Sequence, residues 1–346
     1  MAEQDPRFRA PAENFSRGIA FAHMPDYMGP VIRGKVRDSY VFTVDDRVFR
    51  AQVTTDRKSA LDEVIGSIPP IGAILNRESE YWFNRTSHIV DNAVIDIPSD
   101  NSAILEQADQ EIDVEVVVRS HMAKSDSHTS VWSFYKSGER KIYGYDFPNN
   151  LKPNEELPMG PIITPTTKGK SGENDEPLTI DQARRRVDTV HGYGFWDGVV
   201  SPAALALFKY GQEELKKVNI LMVDTKYEFG IVKGRFKIID EMHTSDSSRF
   251  RRADSYYKLV AQGVDPESFD KEPLRDWLIA QGYNGLGSPI PLLDENIIQL
   301  LQKNYGEGYT MLTGKPVPLG DANPQAISDI VDKRIAQLVG HSVKSS

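Results

Sequence analysis

Residues 219–249 read NILMVDTKYEFGIVKGRFKIIDEMHTSDSSR and determine the part of the fold on which function depends. Two apolar runs flank the dipeptide Lys233-Gly234, which predicts a β-hairpin with a tight turn. Outward from this hairpin, strand-like and helical segments do not alternate as βαβ units. The chain is therefore predicted to be α+β, with mostly antiparallel sheets and flanking helices.

Charged side chains cluster around this hairpin. Asp224, Lys226 and Glu228 occupy alternate positions before the turn, Asp240 follows it, and Arg249 ends the stretch. Carboxylates that converge after a chain reversal, with Lys and Arg beside them, suit a magnesium–nucleotide site with an anionic second substrate. The alternative is a structural hairpin with exposed charges.

The register of the hairpin constrains a shared metal site. Strict pairing from the turn sets Glu228 opposite Ile239, so Glu228 and Asp240 would point to opposite faces if both lay within the strands. A common metal therefore requires Glu228 just outside the ladder, or a β-bulge near Gly230.

Composition excludes several classes of function. The 346 residues are 39% apolar and 26% charged, which predicts a globular protein of two lobes. The net charge of −9 disfavours a nucleic-acid partner, so local Lys and Arg must bind anionic substrates against the global sign. No apolar run reaches the roughly 20 residues of a membrane span. The absence of cysteine and of a signal-peptide pattern predicts a cytoplasmic protein.

Hydrophobic periodicity places the secondary structure outside the hairpin. Strands are expected at 39–44, 48–54, 93–97 and 112–119, and helices at 71–88, 179–190, 202–217, 272–281, 293–303 and 324–339. Thr179 or Asp181 would cap the helix at 179–190, and Ser201 before Pro202 would cap the next one. Residues 120–178 form a long irregular stretch, which is uncommon in a compact domain unless it is functional. The apolar face of 293–303 could cover the core or a partner subunit.

A glycine-containing basic loop lies before the hairpin that the strands at 39–44 and 48–54 are predicted to form. Gly34 would let backbone amides approach a phosphate group, and Lys35 and Arg37 would add positive charge. A basic surface turn is the alternative.

Two further segments carry candidate binding residues. Asp56 and Ser59 follow a strand end, where a helix cap with a salt bridge is the alternative to a functional site. Arg119 ends an apolar strand, where a planar guanidinium suits bidentate phosphate binding. The alternative is that Arg119 is an end residue of the strand whose guanidinium extends to solvent and binds no phosphate.

Seven motifs occur in order along the chain. They are GKVRDSY (34–40), TTDRKSALD (54–62), EVVVR (115–119), PIITPTTKGKSGENDEPLT (161–179), VDTKYEFG (223–230), DEMHTSDSSRF (240–250) and SFDKEPLRDWL (268–278). Together they closely resemble the phosphoribosylaminoimidazole-succinocarboxamide synthase (SAICAR synthetase) family of purine biosynthesis, over roughly residues 31–280.

The resemblance implies a two-lobed fold related to ATP-grasp and protein-kinase-like enzymes. Residues 1–112 would form an N-terminal lobe with a phosphate-covering loop, and 113–346 a larger ATP- and substrate-binding lobe with C-terminal helices. The implied reaction joins L-aspartate to carboxyaminoimidazole ribonucleotide, with ATP and Mg²⁺ as cofactors, and releases ADP and phosphate. The implied partners are these small molecules, with homo-oligomerisation left open.

The resemblance also implies roles for individual residues. Catalysis would involve Lys226, Asp224 and Lys35. ATP would be bound by Gly34, Lys35, Arg37, Lys168 and Asp240. Magnesium would be held by Glu228 and Asp240. The ribonucleotide would be met by Asp224, Lys226 and Asp175, with Arg119 and Arg249 on its 5′-phosphate, and Asp56 and Ser59 would line the same cleft.

One segment departs from the family pattern. Arg119 is followed by SHMAKSDSHTSVWSFY, several residues longer than the family loop and without its glycines. Counting from Arg119 selects Ser125 as the phosphate-contacting serine, and counting back from the aromatic residues selects Ser130. Ser130 is preferred because SVWSFY preserves the downstream register.

The residue types suit activation of a carboxylate. Phosphorylation by ATP would convert the imidazole carboxylate into an acyl phosphate, which the aspartate amine can attack. Asp224 or Asp175 could accept the amine proton. A small-molecule kinase and a catalytically silent metabolite-binding paralogue are the alternatives, and aspartate-dependent release of ADP would distinguish the three.

Overall fold

The structure, a computed structural model, describes residues 7–61, 63–169, 175–285 and 288–340. Asp62 and residues 170–174 of the quoted motifs lie outside these ranges. The strands are β1 (Ile32–Arg33), β2 (Arg37–Val44), β3 (Arg47–Thr54), β4 (Arg57–Ala60), β5 (Glu63–Ser67), β6 (Val94–Asp96), β7 (Ser102–Glu106), β8 (Gln110–Glu111), β9 (Val116–Arg119), β10 (Lys141–Ile142), β11 (Tyr145–Asp146), β12 (Ile162–Ile163), β13 (Ile220–Tyr227), β14 (Phe229–Val232), β15 (Arg235–Ile238) and β16 (Ser248–Arg252). The α-helices are α1 (Ile71–Thr86), α2 (Val131–Lys136), α3 (Ile180–His191), α4 (Ser201–Lys216), α5 (Ala253–Ala261), α6 (Glu272–Ala280), α7 (Glu295–Thr313) and α8 (Pro324–Val339).

Contacts group the chain into two compact units that are discontinuous in sequence. Unit 1 takes the described parts of Met1–Tyr81, Asn92–Ala108 and Asp270–Ser346, and unit 2 takes Trp82–Asp91 and the described parts of Asp109–Phe269. The division expected from the sequence falls at residue 112 and assigns the C-terminal helices to the second lobe. The contacts group the described residues of 270–346 with unit 1, where the apolar faces of α6, α7 and α8 are buried, and the boundary between the lobes stays a prediction.

Unit 1 contains a five-stranded antiparallel sheet in the order β1-β2-β3-β7-β6. Asp45 and Asp46 connect β2 to β3 with positive φ angles of 48° and 60°, as a tight hairpin turn requires. The buried side chains of this sheet, among them Phe42 and Phe49, pack with Ile327 and Val331 of α8. The C-terminal helix is thus part of this core.

A second core in unit 1 joins α1 to the other C-terminal helices. Ile74 and Leu75 of α1 pack in one cluster with Leu278 of α6 and with Leu301 and Tyr305 of α7. The apolar face expected at 293–303 therefore covers a core of its own unit. The helix extends ten residues beyond the predicted end at 303, to Thr313.

Unit 2 contains two larger antiparallel sheets, ordered β12-β9-β13-β16 and β15-β14-β8, and the two-stranded sheet β10-β11. The hairpin predicted around Lys233-Gly234 is confirmed, because β14 pairs with β15 from Val232↔Arg235 to Phe229↔Ile238. A separate core of apolar and aromatic side chains, including Met122, Tyr135 and Phe147, lies within residues 122–162 of the stretch expected to be irregular.

The helix ends of unit 2 correct one expectation. Thr179 caps α3 through a reciprocal capping box with Gln182, as the sequence predicts. Ser201 is not an N-cap, since a π-helical turn at Trp196–Val200 runs directly into α4 and Ser201 has helical backbone angles. Among the helices of the described residues, none is long and apolar enough to cross a membrane.

Candidate active site

The central strand of unit 2, β13, carries Asp224 between two arginines. Asp224 is the direct cross-strand partner of Arg119 on β9 and of Arg249 on β16. Directly opposite residues share a face of the sheet, so all three side chains meet there. The Arg249 Nη1 atom lies 2.6 Å from Asp224 Oδ2, and Arg119 Nη1 bonds to the same oxygen. The structure thus brings together three of the predicted substrate residues.

The two arginines differ in exposure. The Arg119 side chain is 10% exposed, and its Nε donates to the Thr164 hydroxyl at 2.9 Å. The Arg249 side chain is 27% exposed. Because a guanidinium carries five N–H donors, each arginine can hold Asp224 and still donate to a bound phosphate oxygen.

Lys226, two residues further along β13, lies between carboxylates. Its Nζ is 2.7 Å from Glu115 Oε1 and 3.2 Å from Glu228 Oε1. Burial opposes its charge, but these two carboxylates outweigh that effect and raise the pKa of Lys226 well above its ordinary value. Burial raises the pKa of Glu115, and the charges of Glu228 and Asp175 add to this effect while Lys226 opposes it.

Glu228 occupies the break between two sheets. It follows the end of β13 at Tyr227 and precedes the start of β14 at Phe229, and its carbonyl accepts from the Ile239 N–H at 3.1 Å. Glu228 therefore lies just outside both ladders. This position meets the first of the two conditions under which Glu228 and Asp240 could share a metal, the other being a β-bulge near Gly230. Asp240 also lies beyond its strand and close enough to Lys226 to raise the pKa of that lysine.

Lys168 links Glu228 to a neighbouring strand. Its Nζ is 2.7 Å from Glu228 Oε2 and 2.7 Å from Glu111 Oε2 on β8. Burial raises the pKa of Glu228, but Lys226 and Lys168 outweigh that effect and lower it. Glu228 is therefore a carboxylate at all physiological pH values.

The donor set around Glu228 and Asp240 fits a small hard cation. Magnesium typically takes one or two protein carboxylates, keeps several waters and shares the oxygens of a bound phosphate. Both acidic side chains are partly exposed, which leaves room for those further ligands. Across the described residues no group of three or more His, Cys, Asp and Glu side chains is placed to hold a metal alone.

The remaining predicted residues of unit 2 lie in its loops. Asp175 accepts a hydrogen bond from the Gly169 N–H at 2.8 Å. Its charge also raises the pKa of Glu115, so Asp175 lies near that residue. Ser130 is buried at the N-terminus of α2 and makes no capping hydrogen bond with its side chain. Ser125 is also buried, so the choice between these two serines stays a prediction.

In unit 1, the predicted phosphate loop connects β1 to β2. The Gly34 N–H donates to the Arg37 carbonyl at 2.7 Å and closes the reversal. A Cβ atom on Gly34 would lie 2.8 Å from that carbonyl oxygen, so the reversal requires glycine. Lys35 at its tip is exposed and Arg37 is half-buried.

Asp56 and Ser59 are buried in unit 1, at 2% and 6% exposure. The two carboxylate oxygens of Asp56 accept the backbone N–H groups of Ile19 at 2.7 Å and Gly72 at 2.9 Å. These contacts anchor the start of α1. A direct substrate contact for either residue stays a prediction.

Sequence reasoning missed Glu115, Glu111 and Thr164. A signal for Glu115 was present, because it precedes Arg119 by four residues and period-two alternation places both on one face of an extended chain. Glu111 and Thr164 carry no such signal. Their contacts with Lys168 and Arg119 depend on the sheet register, which joins segments about 50 residues apart in sequence.

The chain is similar to known proteins over most of its length. The SAICAR synthetase family model matches residues 30–288. The phosphoribosylaminoimidazole-succinocarboxamide synthase of Legionella pneumophila (strain Lens) is 35% identical over 316 residues, which cover 90% of this chain and 96% of that protein. The chloroplastic synthase of Vigna aconitifolia is 41% identical over 247 residues, covering 71% of this chain and 69% of that protein.

A solved structure shares the fold. The SAICAR synthase from Saccharomyces cerevisiae, in complex with SAICAR, superimposes with a TM-score of 0.70 and 31% identity, and the match covers 85% of this chain and 98% of that one. The matched family model spans more than half of the chain and includes every predicted site residue. The chain therefore belongs to the SAICAR synthetase family.

Proposed function

We propose that the protein joins L-aspartate to carboxyaminoimidazole ribonucleotide at the expense of ATP, and so forms SAICAR, ADP and phosphate. The observation that carries this proposal is the charged row, the side chains along β13 and just beyond its end, where Asp224 is held by Arg119 and Arg249 and is followed by Lys226 and Glu228. The row offers cations for a phosphate at one end and carboxylates for a metal at the other. Family membership supports the same reaction.

The reaction requires two bond exchanges. An oxygen of the imidazole carboxylate attacks the γ-phosphorus, and the bond from that phosphorus to ADP breaks. The aspartate nitrogen then attacks the acyl carbon, phosphate leaves with the C–O bonding electrons, and the nitrogen gives up its proton. Protein groups contribute mainly position and charge neutralisation to such transfers.

The residues of unit 2 can supply those contributions. Arg119 and Arg249 would bind the 5′-phosphate, because rigid strand positions and planar guanidinium groups suit bidentate recognition. Lys226 keeps its charge, since its pKa is raised, and would neutralise the carboxylate and acyl phosphate oxygens. Glu228 and Asp240 would hold Mg²⁺, which when bound neutralises charge on the transferring phosphoryl group.

The proton acceptor has three candidates. Asp224 and Asp175 come from the sequence, and the structure adds Glu115. A general base works best when its pKa approaches the operating pH, and burial raises the pKa of Glu115. Each carboxylate can be replaced by its amide and kcat measured as a function of pH. The base is the group whose replacement removes the fall of kcat at low pH.

In unit 1, the loop at Gly34 would bind the phosphates of ATP through Lys35 and Arg37. Lys168 would serve the adenine-side linker and so contribute to ATP binding, and Asp56 and Ser59 would support substrate binding.

We also propose a cytoplasmic location from the absence of cysteine. The acidic net charge argues against nucleic acid as a partner, and a homo-oligomer is compatible with the chain.

The decisive experiment measures ADP release from ATP, Mg²⁺ and carboxyaminoimidazole ribonucleotide, with and without L-aspartate. We expect release that depends on aspartate, with a succinocarboxamide product identified by mass spectrometry. Release without aspartate would replace the proposal with a kinase, and no release under either condition would favour a silent paralogue.

A further inference from the structure

A fully buried arginine in unit 1, Arg57, binds the loop that carries Lys35. Its Nη2 donates to the Gly34 carbonyl at 2.9 Å and to Asp38 Oδ1 at 2.7 Å. Its Nε donates to the Lys35 carbonyl at 3.3 Å, and its Nη1 to the Ala20 carbonyl at 2.7 Å. The side chains of Arg57 and Asp38 are both 0% exposed. One guanidinium therefore holds four acceptors, two of which are consecutive loop carbonyls.

The next carbonyl of the loop is held in the same way. The Thr55 N–H donates to the Val36 carbonyl at 3.0 Å, and the Thr55 hydroxyl bonds to the same oxygen. Because a trans peptide is planar, its N–H points opposite to its C=O. The N–H groups of Lys35 and Val36 therefore point away from the buried guanidinium. Consecutive backbone N–H groups on one side of a turn form a concavity that binds anions.

Stability alone does not explain an arginine at this position. A buried ion pair recovers little net stability after its desolvation, and a well-packed apolar pair is often as stable. A lysine would neutralise Asp38 but presents one nitrogen, which cannot reach carbonyls along the loop as a planar fork does. The feature that requires arginine is the shape of the loop.

We propose that Arg57 is a positioning residue for nucleotide binding, which fixes the loop so that the N–H groups of Lys35 and Val36 face the phosphate groups. This inference rests on the proposed function, in which the same loop binds the phosphates of ATP. Arg57 acts through the loop backbone and touches neither the nucleotide nor the reacting atoms.

The first test compares Arg57→Lys with wild-type protein and with Arg77→Lys. Arg77 is a matched control, because it lies in unit 1 and bridges Glu80 and Asp100 without contact to the loop. We expect Arg57→Lys to weaken ADP binding in calorimetry and to raise KM for ATP, each about tenfold, the loss expected from one or two missing hydrogen bonds. KM for aspartate should stay within about twofold, and Arg77→Lys should leave both nucleotide parameters unchanged.

Hydrogen exchange on the wild-type protein provides a second test that does not depend on the folding of a variant. Saturating Mg²⁺–ADP should slow amide exchange at Lys35 and Val36. Unchanged exchange at both amides, or equal ADP affinity in Arg57→Lys and wild type, would overturn the positioning role.

The two proposals fail in different ways. Weaker ADP binding in Arg57→Lys, with no aspartate-dependent product from wild type, would support the positioning role and reject the proposed reaction. Aspartate-dependent product with unaltered ADP affinity in the variant would reject the positioning role alone. Wild-type protein that binds no nucleotide would overturn both.

Discussion

Lys226 is a cation at the centre of the candidate active site of unit 2. It contacts Glu115 and Glu228, and its charge is maintained because these carboxylates raise its pKa. We expect Lys226→Gln to lower kcat by about 100-fold or more, since a preorganised charge at the reacting centre is lost. The fold should persist, because the side chain is 32% exposed.

Steady-state kinetics with a thermal melt tests this expectation. Lys209→Gln, an exposed lysine on α4, is the matched control and should retain wild-type kcat. A Lys226→Gln enzyme with unchanged kcat would remove this lysine from the mechanism.

His243, in the motif at 240–250, contributes to the pH dependence of folding. It is 0% exposed, contacts the Tyr227 hydroxyl, and burial lowers its pKa to about 3. The unfolded histidine titrates near 6.5. Between these values the unfolded state binds more protons than the folded state, so folding stability falls as pH decreases.

We expect His243→Asn to flatten the decline in unfolding free energy between pH 6.5 and 4. Asparagine tolerates the positive φ of 49° at this position. The wild-type slope from this histidine should approach about 1.4 kcal/mol per pH unit. Urea unfolding across this range measures it, with the exposed His23→Asn as control. Equal slopes in wild type and His243→Asn would contradict the expectation.

At the scale of elements, the β1–β2 turn depends on one close backbone approach. A Cβ atom at position 34 would lie 2.8 Å from the Arg37 carbonyl oxygen and would force the reversal open. We expect Gly34→Ala to raise KM for ATP several-fold and to change the melting temperature little. Gly198→Ala is the matched control, because nothing lies within 4 Å of its added Cβ. A Gly34→Ala enzyme with unchanged KM for ATP would show that the loop shape does not matter to nucleotide binding.

The charged elements could be predicted from sequence because their patterns are local. The turn at Lys233-Gly234, the alternation from Asp224 to Glu228 and the cap at Thr179 all depend on residues within a few positions of each other. Partnerships across the sheet could not be predicted in this way. The contact of Lys168 with Glu111 depends on a neighbour that only the folded chain supplies. The cap expected at Ser201 fails for a different reason, because the π-helical turn before it continues directly into α4.

At the scale of the whole molecule, the C-terminal helices complete unit 1. Leu278, Leu301 and Tyr305 share a core with α1, and Val331 covers the five-stranded sheet. Burial of each such side chain contributes roughly 1.5–3 kcal/mol, so their combined loss approaches the whole stability of a domain. We expect a chain ending at residue 269 to aggregate or to lack a cooperative thermal transition.

Co-expression of residues 270–346 as a separate chain is the control for this truncation. It should restore a soluble complex with a cooperative melt. A cooperative melt from residues 1–269 alone would show that the remaining chain supplies a sufficient core.

The extended backbone of β13 also sets a fixed distance between the two ends of the charged row. Strand residues advance about 3.3 Å each, so the backbone positions of Asp224 and Glu228 are about 13 Å apart. Pairing of β13 with β9 from Asp224 to Tyr227 keeps this segment extended, so the separation cannot adjust to the ligand. Under the proposed function, a ribonucleotide that lacks its 5′-phosphate would contact only one end of the charged row. The protein would then select its substrate by length as well as by charge.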